Sequence, residues 1–116
     1  MKRKTILIID DSDFYRLTCA RYLEKRGWEI IEAQNGLEGV EAARGKNPDL
    51  ILMDVKMPVM SGFEALDKLR EDPDTRKIPV IIMSTVSYEK EASAHNCPFF
   101  EKSPAGFEGL LQKIPT

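Results

Sequence analysis

The sequence contains little of the chemistry that builds a zinc site or a disulfide framework. It has one histidine, His95, and two cysteines, Cys19 and Cys97, and neither cysteine lies in a CxxC or CxxH pattern. This excludes a metal site made from several histidines or from paired cysteines. A chain of 116 residues has no need of a disulfide to fold. We therefore expect both cysteines to be reduced, buried and small apolar residues.

The sequence also lacks a long apolar run and a strong excess of either charge. The first apolar stretch, Thr5–Ile9, is too short for the core of a signal peptide, and acidic residues follow it at once. No window is long and apolar enough to span a bilayer. The formal net charge of −2 argues against nucleic acid as a partner, because that usually needs a basic face. These absences predict a cytoplasmic protein that binds neither membranes nor nucleic acids.

What remains is the composition of an ordinary globular domain. Hydrophobic residues make up 42% of the chain and charged residues 31%, which fits a folded protein with one core rather than a disordered one. The length fits one compact domain and leaves little room for a second. We predict a single domain over residues 1–116.

Short apolar runs alternate with helical patterns along the whole chain. Runs rich in β-branched residues are typical of strands buried on both faces of a parallel sheet. We predict strands over residues 5–9, 28–33, 50–53, 80–83 and 98–101. We predict helices from Asp13 to a cap at Gly27, and over residues 37–43, 63–70, 89–94 and 106–113. This βα pattern predicts an α/β fold, a doubly wound five-stranded parallel sheet with helices on both faces.

Two of the predicted helices differ in how clearly they are patterned. In the first helix, Phe14, Leu17, Ala20 and Leu23 recur near helical spacing and predict one apolar face. The fourth helix, within residues 87–96, has little apolar surface beyond Tyr88 and two alanines. We therefore expect the fourth helix to be short, distorted or absent, with low local stability.

Polar side chains follow four of the predicted strands, namely Asp10, Asp11, Asp54, Ser84 and Lys102. In a doubly wound sheet the functional site lies at the carboxyl ends of the strands, so we expect these side chains to share one cleft. Carboxylates this close raise one another's pKa unless a cation such as Mg²⁺ binds them. A carboxylate can form an aspartyl phosphate, while a metal ion and a lysine neutralise the moving phosphoryl group. The set therefore predicts phosphoryl transfer.

Each of these residues also has a purely structural interpretation. The acids after the first strand could serve only as a helix cap, and Lys102 could be an ordinary surface lysine. Their convergence at one edge of the sheet favours the functional interpretation. Phe99 and Phe100 turn to opposite faces of their strand, so we expect at least one of them to be a core residue.

Residues 54–62 have the pattern Asp-x-x-Met-Pro-x-Met-x-Gly. With this run, and with Asp10-Asp11, Pro79, Ser84 and Lys102, the chain resembles bacterial response regulator receiver domains, the CheY-like family, along essentially its whole length. The resemblance implies a flavodoxin-like topology with strand order 2-1-3-4-5. It also implies that Asp54 is the phosphoryl acceptor. Asp11, Asp54 and the backbone carbonyl of Lys56 would bind Mg²⁺ directly, and Asp10 would hold it through water.

The resemblance further implies how such a protein signals. Lys102 would pair with Asp54 or with its phosphate, Ser84 would be the switch hydroxyl, and Phe99 would be the switch aromatic. The partners would be a histidine kinase or phosphotransfer protein and a downstream protein target. The protein would catalyse nothing beyond its own phosphorylation and dephosphorylation, and it would be a monomer or a weak phosphorylation-dependent dimer.

Three positions depart from the family pattern. Lys102 is followed by Ser103-Pro104 rather than directly by proline, so a cis peptide bond would have to lie one residue later. Thr85 is bulkier than the alanine or glycine usual after the switch serine and could narrow the phosphate pocket. Lys56 has a cationic side chain long enough to reach the phosphoryl group or shield it from water, so we expect it to influence the lifetime of the phosphoryl group.

Two other functions are alternatives. One is a degenerate receiver that acts as a phosphorylation-independent protein-interaction module; the altered Lys-Ser-Pro segment and Thr85 favour it mildly, while the complete acidic set, Ser84 and Lys102 oppose it. The other is a small Mg²⁺-dependent phosphatase. That class needs a leaving-group acid and a substrate cap, and 116 residues leave no room for a cap.

Overall fold

The structure, a computed structural model, describes residues 4–103 and 106–114. Within these residues there are five strands and five helices that alternate along the chain. The strands are β1 (Thr5–Ile9), β2 (Glu29–Ala33), β3 (Leu50–Asp54), β4 (Val80–Ser84) and β5 (Phe99–Glu101). The helices are α1 (Asp13–Glu24), α2 (Gly36–Lys46), α3 (Gly62–Glu71), α4 (Glu89–Ala94) and α5 (Leu110–Lys113).

The strands form one sheet in the order β2-β1-β3-β4-β5, and every pairing is parallel. The predicted doubly wound fold and its strand order are confirmed. β3 and β4 are buried along their whole length, whereas β2 at the edge of the sheet is only partly buried. The sheet therefore places β1, β3 and β4 side by side at its centre.

Two apolar cores cover the two faces of this sheet. On one face, residues such as Leu7 and Ile51 pack with side chains from α2, α3 and α4. On the other face, residues such as Ile8 and Leu52 pack with side chains from α1 and α5. Because both faces are covered, the central strands appear in the sequence as continuous apolar runs. Each fully buried leucine or isoleucine contributes roughly 1.5–3 kcal/mol to folding.

Side-chain caps begin the first three helices. A polar residue before each of these helices accepts a hydrogen bond from the backbone N–H three residues later, in the pairs Ser12 with Tyr15, Asn35 with Glu38, and Ser61 with Glu64. Ser61 and Glu64 form a complete capping box. Such a cap stabilises a helix by about 1 kcal/mol. In contrast, α4 and α5 begin without a side-chain cap hydrogen bond.

The predicted apolar face of α1 is wrong at two positions. Phe14 is 80% exposed and Leu17 is 46% exposed, while Cys19, Ala20 and Leu23 are buried. The reason is geometric. In a helix with 3.6 residues per turn, side chains three residues apart differ in direction by roughly 60°, so three such steps add up to half a turn. Phe14 and Leu23 therefore lie on opposite sides of α1.

The predicted bounds of two other helices also differ from the structure. α5 begins at Leu110 rather than at Gly106, because Gly106 and Gly109 have φ angles of +101° and +90° that a right-handed helix does not allow. α2 continues past residue 43 to Lys46 and ends where Asn47 adopts a φ of +51°. The predicted short fourth helix is confirmed, since α4 has six residues and one buried side chain, Ala92.

Both cysteines are free and buried, as predicted. In the part of the chain that the structure describes, no helix has the length and apolar character needed to cross a membrane. The predicted location of a cis bond at Ser103-Pro104 lies outside the described residues, because Pro104 is not among them.

Candidate phosphoryl-acceptor site

The carboxyl ends of four strands bring the predicted site residues together. Asp10 directly follows β1, Asp54 ends β3, Ser84 ends β4, and Lys102 directly follows β5. The parallel register pairs Asp54 with Met83, so neighbouring strands end at nearly the same level. The folding of each apolar strand into the sheet therefore carries the polar residue at its end to one common edge.

Three carboxylates form the centre of this site. Oxygen atoms of Asp10, Asp11 and Asp54 lie within 4.8 Å of one another. Asp10 is fully buried and Asp54 is 8% exposed, whereas Asp11 is exposed. Hard oxygen ligands at this spacing, with one side open to water, fit Mg²⁺, which keeps several of its waters when it binds proteins.

Lys102 supplies the positive charge of the site. Its Nζ atom lies 2.6 Å from Oδ2 of Asp10 and 3.2 Å from Oδ1 of Asp54, and its side chain is 9% exposed. The family resemblance implied a pair with Asp54 or with its phosphate, and the structure adds a shorter contact with Asp10. An ion pair this deeply buried needs good geometry to offset the loss of water around its charges, and two carboxylate partners provide it.

The surroundings of Asp54 disfavour the ionised form of its carboxyl group. Burial raises the pKa of the Asp54 carboxyl, and the neighbouring Asp10 charge raises it further. The Lys102 ammonium and the backbone N–H of Val55, which donates to Oδ1 of Asp54 at 2.9 Å, act in the opposite direction. Added positive charge near Asp54 therefore favours the ionised form, which is the form that can act as a nucleophile.

Ser84 ends β4, the strand next to β3 in the sheet. The Ser84 hydroxyl is buried and accepts a hydrogen bond from the backbone N–H of Val86 at 3.2 Å. Thr85 and Lys56 are both exposed. Ser84 therefore already occupies a fixed place, and the two side chains that depart from the family pattern face solvent.

Phe99 and Phe100 are both core residues. Phe99 is 8% exposed and packs in the core with α2, α3 and α4, while Phe100 is 5% exposed and packs in the core with α1 and α5. Strand alternation does turn them to opposite faces. The aromatic ring predicted to act as a switch is therefore buried beside the weakly structured α4.

The loop after Asp54 is held tightly against the strand end. The N–H of Gly62 donates to the carbonyl of Val55 at 2.8 Å, and a Cβ atom at Gly62 would lie 2.1 Å from the Asp54 carbonyl oxygen. Val59 has a φ of +71°, and the N–H of Met60 donates to the carbonyl of Pro58 at 2.7 Å. A glycine is required at residue 62 because α3 begins in direct contact with the backbone of Asp54.

Two residues of α1 that were not predicted from the sequence also contact the site. Arg16 donates to the Asp10 carbonyl at 2.6 Å and forms ion pairs with Asp13 and Glu32. The ring centroid of Tyr15 lies 4.3 Å from the Lys102 Nζ atom. The spacing of Asp13 and Arg16 by three residues on a helix predicts their pair, but no local pattern predicts the contact with Lys102.

The fold and the acidic strand ends define a small α/β signalling domain, and the comparisons with known proteins identify its family. The response regulator receiver domain matches residues 6–98 of this chain. The chain belongs to that family. The CheY-like resemblance seen in the sequence is confirmed.

Curated relatives and a solved structure agree with this assignment. The protein PilH of Pseudomonas aeruginosa is 46% identical over 88 residues, which cover 74% of this chain and 71% of PilH. The polar-differentiation response regulator DivK of Brucella anthropi is 31% identical over 96% of this chain and 93% of DivK. The response regulator TrrA of Thermotoga maritima, crystallised with Mg²⁺ and BeF, is 29% identical, with a TM-score of 0.85 over 95% of both chains.

Proposed function

We propose that this protein is the phosphoryl-accepting switch of a two-component phosphorelay, and that Asp54 is the acceptor. The observation that carries the proposal is the contact of the buried Lys102 ammonium with the Asp54 carboxylate, inside a cluster of three carboxylates. A lysine ammonium beside three carboxylates, two of them buried, is the charge arrangement that transfer of a phosphoryl group to a carboxylate requires. We also propose that residues 1–116 form one receiver domain.

Mg²⁺ is the proposed cofactor. Asp11, Asp54 and the backbone carbonyl of Lys56 would bind it directly, and Asp10 would bind it through water. The ion supplies positive charge that neutralises the oxygens of a transferring phosphoryl group. The oxygen cluster of this chain supports the proposal, as does the Mg²⁺ complex of the similar TrrA.

In the proposed reaction, a carboxylate oxygen of Asp54 attacks the phosphorus atom of a phosphohistidine. The new oxygen–phosphorus bond forms as the nitrogen–phosphorus bond breaks, and the histidine nitrogen leaves with the bonding electron pair. Lys102 stays within reach of the phosphoryl oxygens and stabilises their charge. Ser84 then donates a hydrogen bond from its hydroxyl to a phosphoryl oxygen.

The signal would leave through the elements next to Ser84. The movement of Ser84 toward the phosphoryl group would be coupled to the ring of Phe99, which packs beside α4. We propose a histidine kinase or a phosphotransfer protein as the donor and another protein as the downstream target. A monomeric or weakly dimeric state and a cytoplasmic location stay predictions, and the complete set of acids with Lys102 supports the phosphoryl-accepting function over the phosphorylation-independent alternative.

Phosphorylation by acetyl phosphate tests the proposal. The protein is incubated with and without Mg²⁺, and its intact mass is measured over time beside that of Asp54→Asn. We expect one phosphoryl group on the wild type in the presence of Mg²⁺ and none on the variant. Equal labelling of the variant and the wild type would refute the role of Asp54.

A further inference from the structure

The Lys102 ammonium has a third partner besides its two carboxylates. The centroid of the Tyr15 ring lies 4.3 Å from Nζ, a distance at which the ring face attracts a cation. An ammonium group has three N–H donors. The carboxylates of Asp10 and Asp54 and the ring of Tyr15 therefore surround it on three sides.

The Tyr15 side chain is itself fixed in place. Its ring packs edge-on against Phe107 at a centroid distance of 5.3 Å, and Phe107 is buried. The Tyr15 hydroxyl is also buried, and among the described residues it has no hydrogen-bond partner. An unsatisfied buried hydroxyl destabilises a fold, so the hydroxyl does not explain why the tyrosine lies here. The ring is the part of the side chain that contacts the site.

We infer that Tyr15 is a positioning residue for phosphoryl transfer, whose ring face holds the Lys102 ammonium at the oxygen atoms of Asp54. The inference rests on the proposed function, because it gives Lys102 its role at the phosphoryl group. The contact itself is independent of that function and can be measured separately.

The physical reason lies in the difference between a ring and a carboxylate. A lysine ammonium sits at the end of a flexible four-carbon stem and is strongly hydrated, so it needs partners to keep it at one place. A carboxylate partner neutralises much of the ammonium charge that the phosphoryl group needs. The quadrupole of an aromatic face attracts the ammonium without accepting a strong hydrogen bond from it. Tyr15 can therefore hold Lys102 without adding to the neutralisation of its charge by the two carboxylates.

Three variants separate the ring from the hydroxyl and from packing in general. Tyr15→Leu removes the ring, and Tyr15→Phe keeps the ring but removes the buried hydroxyl. Tyr22→Leu is the matched control, because Tyr22 packs on the same Phe107 at 5.0 Å but carries Arg26 on its ring instead of Lys102. All three are phosphorylated with acetyl phosphate at saturating Mg²⁺.

We expect Tyr15→Leu to be phosphorylated about tenfold more slowly than the wild type, an effect that lies between those of an exposed and a fully desolvated cation–π contact. Tyr15→Phe restores the wild-type rate, and Tyr22→Leu keeps it. A rate for Tyr15→Phe as low as that of Tyr15→Leu would overturn the inference, since the ring would then not be the active part. Equal rates for Tyr15→Leu and Tyr22→Leu would also overturn it.

A spectroscopic readout tests the contact without any phosphorylation. Protons on the Lys102 carbon next to Nζ lie near the ring face, so we expect an upfield ring-current shift in NMR spectra of the wild type and Tyr15→Phe. The shift disappears in Tyr15→Leu and persists in Tyr22→Leu. Unshifted protons in the wild type would overturn the inference. If the wild type takes no label at all, the proposed function fails, while this shift still decides whether Tyr15 holds Lys102.

Discussion

The first three βα units of the molecule are built more regularly than the last two. α1, α2 and α3 have 12, 11 and 10 residues and begin with side-chain caps, whereas α4 and α5 have 6 and 4 residues and begin without them. We call residues 4–71 the first region, and residues 84–103 with 106–114 the second region. The acidic cluster lies in the first region, while Ser84, Phe99 and Lys102 lie in the second.

This difference separates the three carboxylates from the elements that we expect to move. A metal and phosphoryl site needs its carboxylates held at constant spacing, which long capped helices around Asp10 and Asp54 provide. A switch needs elements that shift at low free-energy cost, and such elements have short helices and few buried contacts. The second region has these properties. We therefore expect it to open locally more readily than the first.

The largest expected effect comes from matched core substitutions in the two regions. Leu52 in β3 and Leu110 in α5 pack in the same apolar core, and both are fully buried. We expect Leu52→Ala to lower the free energy of unfolding by about 4 kcal/mol and Leu110→Ala by about 2 kcal/mol, because the short α5 can collapse around the cavity. Urea unfolding measures both values. Equal losses would show that the two regions are equally rigid.

A glycine pair tests how tightly the first region holds the acceptor. A Cβ atom at Gly62 would meet the Asp54 carbonyl oxygen at 2.1 Å, whereas a Cβ atom at Gly45 would meet nothing within 4 Å. We expect Gly62→Ala to destabilise the fold by about 3 kcal/mol, since backbone must move to relieve the overlap. Gly45→Ala, inside α2, should stabilise it by about 0.5–1 kcal/mol. Urea unfolding of both variants checks this, and similar values would contradict the close approach.

The central strands of the sheet and the polar residues that end them could be predicted from the sequence. β1, β3 and β4 are uninterrupted apolar runs because two cores cover them, and such runs are visible without any structure. The acids and the serine follow these runs directly. Once the sheet order is known, their convergence at one edge follows from parallel pairing alone.

The features that were missed depend on contacts between distant residues. Lys102 is 92 residues from Asp10 in the chain, and its choice between Asp10 and Asp54 depends on how the side chains pack. The place of Tyr15 depends on how far α1 is rotated against the sheet, whereas the exposure of Phe14 follows from helical spacing alone. The left-handed φ angles of Gly106 and Gly109 shorten α5, and a glycine in a sequence does not reveal its φ.

The smallest expected effect lies in the first region. This region is the more regular of the two, yet it also contains a strained backbone position. Val59 is a β-branched residue at a φ of +71°, and it is 75% exposed. The hydrogen bond from Met60 to Pro58 closes a three-residue turn around it, a geometry that is rare and strained. Asparagine tolerates this backbone conformation much better than valine does.

We therefore expect Val59→Asn to raise the free energy of unfolding by about 1 kcal/mol, since an exposed valine loses no packing and the strain is relieved. Val86→Asn is the control, because Val86 is also an exposed valine, at 54%, but has no positive φ. It should change stability by less than about 0.5 kcal/mol. Equal small changes in both variants would mean that the loop beside Asp54 stores no backbone strain. The first region would then be free of strain at this position.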